Sequence, residues 1–67
     1  MHGKRFKSHV RENMNITIKV NYTDSIFHIK EDDGQITHNQ IFFDLEDAKE
    51  IKKILSELII KKEKGEI

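Results

Sequence analysis

The chain is expected to be a small α+β domain: a three-stranded antiparallel meander with one C-terminal helix packed on one face, ordered β-β-β-α in two layers. Three observations predict it: strict polar/apolar alternation after residue 14, turn chemistry at Thr23-Asp24 and Asp33-Gly34, and helical spacing of apolar residues after Asp44.

The first strand is read over residues 15–22. Ile16, Ile18, Val20 and Tyr22 fall on one side and Asn15, Thr17, Lys19 and Asn21 on the other. A period of two is that of a half-buried strand. Thr23-Asp24 predicts a tight reversal, and residues 25–31, rich in β-formers, predict a second strand. Asp33-Gly34 predicts a hairpin because both residues tolerate the positive φ of a type I′ turn, and residues 35–43 then give the third strand.

Two-residue loops at these positions fix an expected register. Val20 pairs with Phe27 and Ile18 with Ile29 in the first hairpin; Asp32 pairs with Gln35, Ile29 with His38 and Phe27 with Gln40 in the second. Ile16, Ile18, Val20, Tyr22, Phe27, Ile29, Ile36 and Phe42 then share one face, and a one-residue slip would scatter that set.

The helix is predicted to start after Asp44, whose carboxylate can accept an exposed amide of the first turn. Leu45, Ala48, Ile51, Ile54, Leu55, Leu58 and Ile59 fall in one broad arc, with Lys49, Glu50, Lys53, Glu57 and Lys61 opposite. The arc is expected to cover the apolar side of the sheet.

Three parts follow: a basic, flexible arm over 1–13, the β-β-β-α domain over 14–62, and a fraying tail over 63–67. Charge is uneven. Lysines plus arginines number 12, as do aspartates plus glutamates, yet residues 1–13 carry a formal +3 and residues 14–52 a formal −4.

No cysteine is present to staple a chain of 67 residues, and packing must hold a domain of this size, alone or with a partner. No apolar run reaches the ~20 residues of a membrane span. A cytoplasmic protein is expected.

Catalytic equipment is not legible. Ser8, Ser25 and Ser56 lie in the arm, a turn and the polar helix side, without a histidine and acid at motif spacing. The expected register separates His28 and His38 onto opposite faces, with His38 on the helix side, which disfavours a shared metal. The acidic run Glu31-Asp32-Asp33-Gly34 lacks the twelve-residue ligand pattern of a calcium loop, and Gly3, Gly34 and Gly65 are too dispersed for a phosphate loop. No catalytic residue, metal or cofactor is assigned.

What remains is contact surface. The expected register pairs Ile26 with Ile41 on the face away from the helix, near Phe43, with His28 and Asn39 around them. Ile26, His28, Asn39, Ile41 and Phe43 are therefore the candidate partner-binding set of a non-catalytic protein-protein interaction module, a homodimer or a regulator or inhibitor seated on a larger protein. The alternative is nucleic-acid binding through Lys4, Arg5, Lys7 and Arg11 of the arm.

Overall fold

The computed structural model describes residues His2–Ile67, and its architecture is α+β. Strands β1 (His2–Lys7), β2 (Asn15–Val20), β3 (Phe27–Asp32) and β4 (Thr37–Phe43) form one antiparallel sheet in the order β1-β2-β3-β4, followed by helix α1 (Leu45–Glu63). The meander therefore has four strands where three were expected.

The additional strand is the segment expected to be a flexible arm. His2–Lys7 pairs along the whole of β2, from His2 opposite Val20 to Lys7 opposite Asn15. Only Phe6 in it is apolar, so hydrophobic periodicity gave no sign of a strand. Its backbone pairing with β2 is supplemented by ion pairs and turn chemistry. The Arg5 guanidinium donates to Asp32 at 3.1 Å and that of Arg11 to Glu31 at 2.7 Å. The Ser8 amide donates to the Met14 carbonyl, the Ser8 hydroxyl accepts from the amides of Val10 and Arg11, and Asn13 takes the positive φ, 58°, that closes the connection. Met14, at the end of this turn, is the one buried hydrophobic side chain among the described residues.

The first predicted hairpin has the expected register: Ile18 faces Ile29 and Val20 faces Phe27. Its strands end sooner, because Asn21 pairs with Ile26 across four loop residues and Ser25 adopts φ 58°.

The second hairpin is displaced by three residues, and the displacement has two parts. Asp33, not Asp32, forms the last backbone pair, its amide donating to the Ile36 carbonyl, so the two loop residues are Gly34 and Gln35. Gly34 supplies φ 98°, and the Asp33 carboxylate accepts the amides of Gln35 and Ile36. That change moves the pairing by two and leaves the faces alone. A β-bulge next to Glu31 and Asp32 then adds one residue to β4: Asp32 faces Thr37, but Glu31 faces Asn39, Ile29 faces Ile41 and Phe27 faces Phe43. One residue is enough to exchange the faces. Ile41 and Phe43 lie on the side of Ile18 and Ile29, while Phe42 lies opposite, beside His28; the expected placement of Phe42 in the apolar set is corrected accordingly.

Helix α1 begins as expected, with the Asp44 carboxylate accepting the Asp47 amide at 2.9 Å, and Glu46 and Asp47 favour its dipole. Its end is capped by backbone hydrogen bonds. The Glu66 amide donates to the Lys61 carbonyl, the Gly65 amide donates to that of Lys62, and Gly65 takes φ 75°, which together make a Schellman motif.

Candidate interaction surfaces

The sheet has two unlike faces, fixed by the register. One carries Phe6, Ile16, Ile18, Val20, Phe27, Ile29, Ile41 and Phe43, with Phe27 and Phe43 stacked at 5.8 Å. Helix α1 lies over its β3–β4 half. Ala48, Ile51, Lys52, Leu55 and Ser56 meet Ile18, Phe27, Ile29 and Phe43 across a groove of about 330 Å³.

This seam is not closed. Close backbone approaches between different elements are almost all between strands, and no residue of α1 is buried. Leu55 is 53% exposed, Leu58 47% and Ile59 53%. Ile54 is 52% exposed, and neither it nor Leu58 lines the groove between helix and sheet. Beyond the helix, His2, Lys4, Ile18, Val20 and Phe27 line a second open groove of about 430 Å³ over β1 and β2.

Whole-molecule dimensions agree with an uncovered face. A folded chain of 8.0 kDa ordinarily exposes about 4,450 Å². This one exposes 5741 Å², an excess of about 1,300 Å². Its radius of gyration is 13.8 Å, where a compact chain of this length has about 11 Å.

The opposite face is polar and cationic. Read across the sheet, its rows are Lys7, Asn15, Asp32; then Arg5, Thr17, Lys30, Gln40; then Gly3, Lys19, His28, Phe42. A Cβ on Gly3 would lie 2.7 Å from the Cβ of Lys19, so only glycine fits there without a shift. Asp32 is buried, accepting from Arg5 and from the Gly34 amide. His28 Nε2 is 3.0 Å from Gln40 Oε1, and its ring stacks on Phe42 at 4.2 Å with the planes 13° apart.

At the hairpin tip, His38 Nε2 lies 2.9 Å from the Asp33 carboxylate. That bond, with the Ile36 and Gln35 amides, holds the Asp33 carboxyl well below its ordinary 3.8. His38 is the extra, unpaired residue of the bulge.

The candidate partner-binding set is therefore divided. Ile26 and His28 lie on the cationic face, whereas Asn39, Ile41 and Phe43 lie on the apolar one. Ile26 does not pair with Ile41; Ile29 does. The cationic set is divided too: Lys4 lines the apolar groove, Arg11 is held by Glu31 and Arg5 by Asp32, leaving Lys7 beside Lys19 and Lys30. Among the described residues, no group of three or more His, Cys, Asp or Glu side chains is placed to hold a metal ion, and no helix is long and apolar enough to cross a membrane.

No protein-family model, curated protein or solved structure matches the chain.

Proposed function

We propose that the chain is a non-catalytic protein-protein interaction module that works as a homodimer, joined through the apolar side of the sheet and the exposed flank of α1. The observation that carries this reading is the uncovered seam. Apolar side chains at Ile54, Leu55, Leu58 and Ile59 remain about half in water, and among the described residues only Met14 is a buried hydrophobic residue. An isolated domain gains little from burial in that state.

Size supports a second copy as the partner. The excess surface of about 1,300 Å² per chain exceeds the roughly 800 Å² per partner of an ordinary stable interface. Charge supports it as well: the chain is neutral overall, so two copies meet without net repulsion. A regulator or inhibitor role suits a module that has contact surface and no assigned chemistry. The absence of cysteines favours a cytoplasmic setting, since small secreted domains commonly rely on disulfides.

Sedimentation equilibrium of the purified chain tests the reading. A monomer–dimer equilibrium in the micromolar range is expected; a monomer throughout, with a cooperative thermal transition independent of concentration, refutes it.

A further inference from the structure

The cationic face takes no part in the dimer seam, and it has a chemistry of its own. Arg5, Lys7, Lys19 and Lys30 project from three adjacent strands on this side. The acid among them, Asp32, is buried and already satisfied by Arg5 and the Gly34 amide, so it offers solvent little negative charge. Asp24 lies at one margin beside Asn21, and Asp33 at the other is engaged by His38. Glu31 projects to the opposite side, where it holds Arg11 and Asn39. The exposed middle of the face is thus positive although residues 14–52 as a whole are acidic.

The face also carries an aromatic surface. Phe42 is 61% exposed, and it is braced by the His28 ring stacked against it. His28 is in turn oriented by Gln40. Lys19, Asn21, Asp24, Ile26, His28 and Phe42 enclose a shallow depression at the edge of this stack. Strand spacing of about 4.8 Å and steps of about 6.8 Å between alternate residues make the whole face roughly 14 Å square.

We infer that this face binds single-stranded nucleic acid. Cations that follow a flexible phosphate backbone and a ring on which an unpaired base stacks are the two elements of sequence-tolerant single-strand binding. A duplex keeps its bases stacked within the helix and would meet the cations alone, leaving Phe42 and His28 unused. The inference does not depend on the dimer reading, because the two surfaces lie on opposite sides of the sheet.

Fluorescence anisotropy of the full chain with labelled oligothymidylate, oligouridylate and a DNA duplex of equal length, at two salt concentrations, tests it. With Arg5 engaged by Asp32, three neutralised phosphates give a slope of about −2 in log affinity against log salt, so a fourfold rise in salt should weaken binding about 15- to 20-fold. Lys19→Gln and Lys30→Gln should each reduce that slope by about 0.7, and Lys30→Arg should preserve it. Phe42→Leu, which keeps an apolar side chain but removes the ring, should weaken single-strand binding about 5-fold or more at either salt. Circular dichroism of each variant establishes that it is folded. No binding at the lower salt, equal affinity for the duplex, or an unchanged affinity for folded Phe42→Leu would overturn the inference.

Discussion

Replacing Leu58 by alanine should weaken self-association without unfolding the chain. Leu58 does not line the helix–sheet groove and is 47% exposed, so about half of its surface is still available to a partner. Full burial of a leucine side chain contributes about 1.5–3 kcal/mol, so covering the remaining half contributes about 0.7–1.5 kcal/mol. In a two-fold interface the residue appears twice, which doubles the effect to about 1.5–3 kcal/mol. Alanine retains one methyl group, and the expected loss is therefore about 10- to 50-fold in the dimer dissociation constant. Sedimentation velocity across a concentration series measures this directly. The wild-type transition temperature should rise with protein concentration, and Leu58→Ala should need a higher concentration for the same stability. Lys53→Gln, on the polar side of α1, should change neither. The reasoning fails if Leu58→Ala associates as tightly as the wild type, since the flank would then be ordinary solvated surface.

Three further outcomes follow from the sheet. Gly3→Ala places a Cβ 2.7 Å from that of Lys19 and 3.1 Å from the Ile18 carbonyl oxygen, so β1 should detach or shift at a cost of about 1–3 kcal/mol, read as lost hydrogen-exchange protection in β1 and β2. The Asp33 carboxyl should titrate below 3.8 by NMR; since its folded value is depressed, its contribution to stability is complete above that pH and declines as pH falls further, and a midpoint at the ordinary value would refute the hairpin-tip geometry. Deleting His38 should remove the bulge while preserving the Ile29–Ile41 and Phe27–Phe43 contacts, which nuclear Overhauser effects would reveal; loss of both contacts would mean that the bulge does not set the register.

Most of the backbone plan was legible because it rests on local signals. Alternation in β2, the register with β3 and the Asp44 cap each depend on a few adjacent residues, and each stands as read. The errors arose where a local signal was ambiguous or weak. Asp33-Gly34 identified a reversal, but a side chain that can accept the amides of Gln35 and Ile36 moves the loop centre by one residue, and nothing in a repeating pattern marks where an extra residue will bulge. The contact faces expected for Asn39, Ile41 and Phe43 failed with the register. Strand β1 was hidden for a different reason: it has one apolar side chain, and it is attached by backbone pairing with β2 and the Arg5–Asp32 ion pair, neither of which leaves a hydrophobic period. A usable sign did exist. An arm of formal +3 beside a domain segment of formal −4 is as compatible with docking on Glu31 and Asp32 as with an external polyanion.

The two readings of the surface are linked through the same bulge. Without the extra residue in β4, Phe42 would lie beneath the helix, and Ile41 and Phe43 would face solvent; with it, Ile41 and Phe43 complete the apolar side and Phe42 stands among lysines. One inserted residue therefore determines both which side a second copy can cover and whether the cationic side has a ring to offer a base. Association through the apolar side leaves the cationic face of each copy exposed, so a dimer would present two such faces pointing away from the shared seam. A strand long enough to reach both would be held by two weak sites at once, and its affinity would depend on dimerisation in a way that a short strand's would not. Loss of tight binding to long strands in Leu58→Ala, with short-strand binding retained, is the behaviour that distinguishes two faces acting through one dimer from two unrelated surfaces.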